Sequence, residues 1–239
     1  MAATPTTPKI FAVGDVHGCR ENLAALLARL PLDRERDTVV FLGDYINRGP
    51  DTRGVLDLLL RVRETHAHAV FLRGNHEQAL LEYVATCDVE TLRVLRMMGV
   101  EATLASYGAS ARELPGLAFM PPEHQEFLYD LELSHTEGRY RFLHADADEE
   151  VLAVERSLAG GEELPHLDGE QHAASVDRML SSRRLMREEA ATGGYVEIFG
   201  HAPFETPLVL PDRICVDTGA VYGNLLTALE LPAVRFHHA

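Results

Sequence analysis

Short apolar runs in this sequence end repeatedly at side chains that can bind a metal ion. The pattern occurs at GDVHG (residues 14–18), GDYINRG (43–49) and GNHE (74–77), and again at two later histidines. Carboxylate, imidazole and amide oxygen groups are ligands of first-row divalent metals, and neighbouring glycines let the backbone turn closely around a small ligand. Each segment alone is an ordinary turn, but together, in a chain without a thiolate cluster, they predict one shared metal site. The candidate residues are Asp15, His17, Asp44, Asn75, His76, His144 and His201.

The elements that must position these residues alternate between strand and helix. Apolar runs at Ile10–Val13, Thr38–Leu42 and Ala69–Leu72 predict buried strands, and helical spacing of apolar residues predicts helices at Glu21–Leu30 and Val55–Val62. Three consecutive strand–loop–helix units predict a mostly parallel sheet covered by helices. Because ligands bind beyond the carboxyl ends of the strands in such sheets, the first three candidate segments should converge.

The remainder of the chain predicts a helical insertion and further strands. Residues 77–130 lack a clear strand pattern and predict a helical cap on the sheet. Residues 1–8 predict a flexible leader, and residues 9–239 a single domain. The last three strands are expected to be antiparallel and to form a second sheet. The remaining predicted elements are strands at Leu131–Leu133, Tyr140–Leu143, Val196–Phe199, Ile214–Val216, Leu225–Leu229 and Val234–Phe236, and a helix at Val176–Ala190.

Charge and composition argue against several classes of partner. The 239 residues carry a formal net charge of -15, which disfavours nucleic acid because phosphate backbones need Lys/Arg surfaces. No apolar run approaches the ~18 residues that predict a membrane span. The three cysteines are far apart and form no CxxC pair, which favours a reducing compartment. We therefore expect a cytoplasmic protein with neither a nucleic-acid nor a membrane partner.

The ordered set of motifs resembles that of the PPP-type metallophosphatases of the calcineurin-like superfamily. The similarity runs from residue 9 to residue 230 and includes HAD at 144–146, GH at 200–201 and DTGAVYG at 217–223. RGNHEQ, HAD and the DTGA ending are most similar to the small bacterial and lambda-phage-like serine/threonine phosphatases. The resemblance implies an α/β, four-layer sandwich, in which two mixed sheets are flanked by helices and carry a helical cap.

The resemblance also implies a role for each matching residue. Asp15 and His17 would bind a first metal ion, Asp44 would bridge both ions, and the second ion would be bound by Asn75, His144 and His201. His76 would be the general acid. Arg48 and Arg183 would hold phosphate oxygens; Arg183 matches the family better than Arg184, although Ser181 stands where relatives often have an aromatic residue. The two divalent ions are expected to be Mn²⁺, with Fe or Zn as alternatives, and to activate a bridging water for in-line attack on phosphorus.

One position departs from the family pattern. Asn47 stands where relatives have an aspartate that hydrogen-bonds the catalytic histidine. Asn47 is either a natural variant or an engineered substitution. Its amide could still accept a hydrogen bond from His76, but it carries no charge to stabilise the protonated ring.

Three functions are consistent with these features. The first is hydrolysis of phosphomonoesters, chiefly phosphoserine and phosphothreonine and also phosphotyrosine, in proteins or small phosphoesters. The second is hydrolysis of symmetrical dinucleoside tetraphosphates. Asn47 favours this function, because relatives with this activity also lack the acidic residue at that position. The sequence GNHE disfavours it, because those relatives usually have GNHD. The third is binding of phosphoproteins without turnover, for which Asn47 is the one supporting feature.

Overall fold

Strands and helices alternate through the first half of the chain. The computed structural model describes residues 8–148, 151–153, 169–183 and 194–239. Its strands are β1 (Ile10–Val13), β2 (Thr38–Phe41), β3 (His68–Phe71), β4 (Ser134–Glu137), β5 (Tyr140–Leu143), β6 (Val196–Phe199), β7 (Leu208–Leu210), β8 (Arg213–Cys215), β9 (Thr227–Leu231) and β10 (Arg235–His238). Its α-helices are α1 (Arg20–Arg29), α2 (Thr52–Thr65), α3 (Asn75–Thr86), α4 (Val89–Met97), α5 (Val100–Tyr107), α6 (Pro122–Tyr129) and α7 (Gly169–Ser181).

The first sheet has the strand order β10-β9-β1-β2-β3. Its β1, β2 and β3 are parallel, as predicted. The prediction that the last three strands form a second sheet is wrong for β9 and β10, because β9 pairs antiparallel with β1 and β10 pairs with β9. The physical reason is the free edge of β1, whose backbone groups need partners. Every residue of β9 is buried, so this strand fits that interior position.

The second sheet has the order β4-β5-β6-β8-β7. Strands β5, β6 and β8 are parallel, and β4 and β7 are antiparallel edges. The strand predicted at Leu131–Leu133 is instead a single bridge between Glu132 and Leu72, and regular pairing begins at Ser134. The predicted helix at Val176–Ala190 is observed as α7, which starts earlier and ends at Ser181; residues 184–190, like residues 1–7 of the predicted leader, lie outside the described residues.

The two sheets pack face to face between layers of helices, which confirms the four-layer α/β architecture. Side chains alternate along each strand, so Ala12 and Val40 join the core between the sheets, and Phe11 and Val39 join the core beneath the helices. On the far side, α7 packs on the second sheet through a third apolar cluster. Sheet faces that are apolar on both sides therefore determine the layering.

Helices α3 to α6 occupy the stretch predicted to be helical and pack on the first sheet. Leu80 of α3, Leu104 of α5 and Phe127 of α6 belong to the same apolar core as the sheet residues. Because α3 starts directly after β3 and α5 lies close to α2, these helices reach the loops at the carboxyl ends of the strands. Within the described residues, no helix has the length and apolar character needed to cross a bilayer.

Candidate metal centre and active site

All the candidate metal ligands follow the carboxyl ends of parallel strands. Asp15 and His17 come after β1, Asp44 after β2, and Asn75 and His76 begin α3 after β3. The two later histidines follow β5 and β6 of the second sheet. Glycine makes the close packing possible, since a side chain at Gly74 would collide with the Asp44 carboxylate and one at Gly200 with that of Asp15. Loops from both sheets thus meet at one point.

Asp44 lies at the centre of this cluster. Its Oδ2 is 3.3 Å from Nε2 of His17 and 3.7 Å from Nε2 of His76. Its Oδ1 is 3.5 Å from Nε2 of His144 and accepts a hydrogen bond of 3.1 Å from the backbone N–H of His76. A carboxylate with two oxygens turned to opposite histidine groups has the geometry of a bridging ligand.

Backbone carbonyls orient two of the histidine rings. Nδ1 of His17 donates to the carbonyl of Ile46 at 2.9 Å, and Nδ1 of His144 donates to the carbonyl of Leu42 at 2.7 Å. Each neutral ring therefore presents the lone pair of its Nε2 to the site, as metal-binding histidines do. Burial lowers the pKa of His144 to about 4 and that of His17 to about 3, which keeps both rings neutral.

On the second-sheet side, acceptor atoms face one another. Oδ1 of Asn75 is 3.0 Å from Nε2 of His144 and 3.1 Å from Nδ1 of His201. The backbone N–H of His201 donates to Oδ1 of Asp15 at 3.0 Å. Because Nε2 of His144 carries a lone pair, it cannot donate to Oδ1 of Asn75, and a cation bound between these two acceptor atoms would make their close approach favourable.

The residues present fit two divalent cations. Two groups of side chains share Asp44, and the ligand atoms of each group lie within 4.8 Å of one another. Among the described residues, Nε2 of His201 is buried without a hydrogen-bond partner, which costs free energy unless a ligand satisfies it. The groups are His17, Asp44 and His76, and Asp44, His144 and His201.

Buried carboxylates make the site strongly attractive to cations. Burial is the main cause that raises the pKa of Asp44 to about 7 and that of Asp217 to about 6. Burial also raises the pKa of Asp15 well above its ordinary value, and the charge of Asp217 is the next cause of that shift. Asp217 was not predicted as a site residue, although it opens the DTGA motif; its Oδ1 accepts from the backbone N–H of Gly219 at 2.9 Å. A bound cation would reverse these shifts by favouring the ionised forms.

Glu77 is a second residue that the sequence analysis assigned no role. Its fully buried carboxylate accepts hydrogen bonds from four backbone N–H groups, at 2.9 Å from Asp44, 2.8 Å from Tyr45, 3.2 Å from Ile46 and 3.0 Å from Gly74. Burial is the main cause that raises its pKa to about 8. Glu77 therefore ties the Asp44 loop to the start of α3. A charged residue directly after the paired ligands of GNHE was the available signal.

The Asn47 side chain contacts His76, but with the opposite polarity to the one expected. Its amide nitrogen donates to Nδ1 of His76 at 3.0 Å, and its amide oxygen accepts from the hydroxyl of Thr103 at 2.8 Å. The neutral ring of His76 consequently carries its proton on Nε2. Burial is the main cause that lowers the pKa of His76 far below its usual range, and the nearby Arg48 charge adds to the effect.

The two candidate phosphate-binding arginines lie at different sides of the site. Nη1 of Arg48 donates to Nε2 of His17 at 2.8 Å, and its guanidinium lies 5.8 Å from the ring centre of Tyr222. Arg183 is exposed, yet its charge contributes, after burial and His144, to lowering the pKa of His201 to about 3. Arg184, the alternative, lies outside the described residues. The guanidinium of Arg48 therefore lies where it could meet an anion bound beside His17.

Comparisons with known proteins agree with this geometry. Residues 8–224 match the family model "Calcineurin-like phosphoesterase". The chain is 27% identical to bis(5'-nucleosyl)-tetraphosphatase PrpE [asymmetrical] of Halalkalibacterium halodurans, over 94% of this chain and 90% of that protein. It is 30% identical to serine/threonine-protein phosphatase 1 of Salmonella typhimurium, over 93% and 91%. A serine/threonine phosphatase from Saccharomyces cerevisiae, similar to human phosphatase PP5, shares the fold with a TM-score of 0.64 at 16% identity, over 99% of this chain and 81% of that one.

Proposed function

Because this chain belongs to the calcineurin-like phosphoesterase family, we propose that it is a metal-dependent phosphohydrolase whose preferred substrates are dinucleoside tetraphosphates. The contact between Asn47 and His76 carries the proposal. An amide that donates to Nδ1 disfavours the doubly protonated ring, so His76 offers a hydrogen bond from Nε2 rather than a readily released proton. A nucleotide phosphate leaves as a stable anion and needs no more than that, whereas a serine alkoxide needs a full proton.

The reaction follows from the arrangement of the side chains. When bound, two divalent cations would supply Lewis acidity and an activated water, held by Asp15, His17, Asp44, Asn75, His144 and His201. Arg48 and Arg183 bind the non-bridging phosphate oxygens and offset their charge. His76 directs its Nε2–H to the oxygen that leaves. Glu77 acts through the backbone by holding Asp44 at the centre of the site.

The names of the relatives change which reaction products we expect. The sequence-based alternative was a symmetrical hydrolase, but the bis(5'-nucleosyl)-tetraphosphatases of Halalkalibacterium halodurans and Oceanobacillus iheyensis, which are similar to this chain, are named asymmetrical. For this protein we therefore expect attack at an outer phosphorus atom of the tetraphosphate. The products are then a nucleoside triphosphate and a monophosphate rather than two diphosphates.

A protein phosphatase is the second candidate, and two observations favour it. One is the 30% identity to a serine/threonine-protein phosphatase over almost the whole chain. The other is a groove of about 840 Å³ that opens beside Asn75 between α3, α4 and α7. Its described lining residues include three carboxylates, Glu82, Glu90 and Asp177, and one guanidinium, Arg73. Such a lining suits a polypeptide with basic residues better than a polyphosphate.

Side-by-side kinetics test the proposal. With Mn²⁺ bound, kcat/KM should fall in the order diadenosine tetraphosphate, para-nitrophenyl phosphate, phosphoserine peptide, and chromatography should find unequal nucleotide products. A higher kcat/KM on the phosphopeptide would transfer the assignment to the protein phosphatase. A metal-loaded protein that binds the phosphopeptide but turns over none of the three would be a binding protein. His68→Ala is the control and should match the wild type, because His68 is exposed at the amino end of β3, whereas the site lies beyond the carboxyl end of that strand.

A further inference from the structure

Helix α5 holds the loop that carries Asn47 and Arg48. The backbone N–H of Arg48 donates to the carbonyl of Gly99 at 3.2 Å, that of Asn47 to the hydroxyl of Thr103 at 2.9 Å, and that of Arg53 to the hydroxyl of Ser106 at 2.8 Å. The spacing of positions 99, 103 and 106 places them on one helical face. Asn47 and Arg48 have φ values of 69° and 64°, a region that side chains disfavour, so this face supports a strained turn.

Thr103 has one hydroxyl proton, and its neighbours decide where that proton goes. Since Oγ1 already accepts from the N–H of Asn47, the proton can go to Oδ1 of Asn47, at 2.8 Å, or to Oγ1 of Thr52, at 3.2 Å. The hydroxyl of Thr52 can itself donate to Thr103, which leaves the shorter contact to Asn47. Thr52, Thr103 and Asn47 are all buried, so water does not compete.

The orientation of the Asn47 amide determines the tautomer of His76. With Oδ1 turned to Thr103, the amide NH₂ faces Nδ1 of His76 at 3.0 Å, and the ring proton must be on Nε2. That nitrogen is 3.7 Å from Oδ2 of Asp44 and so faces the metal centre. If the amide were reversed, Nδ1 would hold the proton, and the neutral ring would present only a lone pair to the site.

We propose that Thr103 is a positioning residue of the cap which, through the amide of Asn47, holds the proton of His76 on Nε2. The inference rests on the proposed role of His76 in hydrolysis. It makes helix α5 part of the catalytic arrangement, although Thr103 itself touches neither metal ligand nor substrate. It also explains how a site with asparagine at position 47 keeps a hydrogen-bond donor for the leaving group.

Three variants separate this role from simple support of the loop. Thr103→Val removes the hydroxyl at nearly constant volume, and Thr103→Ser keeps it. Ser106→Ala removes a contact of the same helical face that does not involve Asn47. Long-range ¹H–¹⁵N correlation of the imidazole nitrogens in metal-free protein reports the tautomer, and His76→Asn identifies the His76 signals by difference. Steady-state kinetics of the Mn²⁺-loaded variants provide kcat and KM.

We expect the wild type, Thr103→Ser and Ser106→Ala to show the Nε2–H tautomer, and Thr103→Val to show Nδ1–H or a mixture. Thr103→Val should lower kcat about 10- to 10²-fold, within the usual effect of one proton donor, with KM changed less than twofold. If Thr103→Val does not fold, Thr103→Ala takes its place.

Wild-type imidazole signals and kcat in Thr103→Val would overturn the proposal, as would an equal loss in Ser106→Ala, which would reduce the contact to loop support. If His76→Asn kept full kcat, the proposed role of His76 in hydrolysis would fall, whatever the tautomer. A Thr103→Val protein with a changed tautomer and a lowered kcat supports both.

Discussion

An amide and a carboxylate at position 47 would have opposite effects on His76. The amide of Asn47 donates to Nδ1 and requires a lone pair there. A carboxylate in the same place would accept from Nδ1–H and stabilise the doubly protonated ring. The choice between them decides whether His76 supplies a hydrogen bond or a proton, and hence which leaving groups the site can expel.

At the scale of this residue, we predict that Asn47→Asp increases kcat on a phosphoserine peptide by roughly 10- to 10³-fold, the usual worth of one general acid. The increase should be smaller on para-nitrophenyl phosphate, whose phenolate hardly needs a proton, and smaller still on diadenosine tetraphosphate. Because the side chain of Asn47 contacts His76 and Thr103, neither of which is among the six proposed metal ligands, the metal content measured by elemental analysis should be unchanged.

The comparison of substrates is what makes this prediction decisive. Equal rates of the two proteins on the phosphoserine peptide, or a gain confined to para-nitrophenyl phosphate, would contradict the pairing of position 47 with His76. Asp51→Asn is a useful control, because Asp51 caps α2 through the N–H of Gly54 and does not contact His76. It should leave the ratio of rates on the two substrates unchanged.

At the scale of elements, His124 joins two helices of the cap, α5 and α6, to helix α2. From α6, its Nδ1 accepts from the hydroxyl of Tyr107 in α5 at 2.6 Å, and its Nε2 donates to Oδ1 of Asp57 in α2 at 3.1 Å. The ring is only 1% exposed.

We predict that His124→Ala lowers the free energy of unfolding by about 1–3 kcal/mol, the cost of leaving buried partners unsatisfied. Burial is the main cause that lowers the pKa of His124 in the folded protein, while the unfolded value is about 6.5. The contribution of His124 is therefore fully present above that value and is lost as the pH falls below it. Urea unfolding should show a smaller difference between wild type and His124→Ala at pH 5.5 than at pH 7.5.

A difference that grows at pH 5.5 would show that the protonated ring is the favoured form and would contradict the assignment. His68→Ala is the control, because His68 is exposed on β3 and its removal should change stability by no more than about 0.5 kcal/mol.

Local features of the sequence predicted the elements, whereas long-range contacts decided what could not be predicted. Apolar runs that end in glycine and a polar residue indicated β1 to β3 and the candidate ligands, because strand ends and turns are encoded by adjacent residues. The sheet to which β9 belongs depends on the free edge of β1, more than 200 residues earlier in the chain. The polarity of the Asn47 amide depends on Thr103, 56 positions away. Neither pairing leaves a periodic signal.

At the scale of the whole molecule, the candidate metal centre draws its residues from both sheets. Asp15, His17, Asp44 and Asn75 come from loops of the first sheet, and His144 and His201 from loops of the second. A cation bound there would link two layers that otherwise meet mainly through apolar contacts. Metal binding should therefore contribute to the stability of the entire fold and not only to catalysis.

The buried carboxylates determine how this contribution depends on pH. The pKa values of Asp44 and Asp217 are raised to about 7 and about 6, by burial first, against about 3.9 in the unfolded chain. Between about pH 4 and pH 7, the folded metal-free protein binds protons that the unfolded chain does not, so its stability falls as the pH rises through this window. Bound cations replace those protons and remove the penalty.

We predict that saturating Mn²⁺ raises the Tm by about 10 °C. This is the effect expected from roughly 4 kcal/mol of binding free energy on a chain of this length. The increase in Tm should be larger at pH 8 than at pH 5.5. Thermal unfolding of the same preparation with Mn²⁺ or with a chelator measures the difference, and elemental analysis should find close to two equivalents of metal. Asp44→Ala should lose most of the metal and most of the increase in Tm, whereas His68→Ala should keep both. An increase in Tm that is constant or shrinks as the pH rises, or that survives in Asp44→Ala, would mean that the buried carboxylates do not bind the cations.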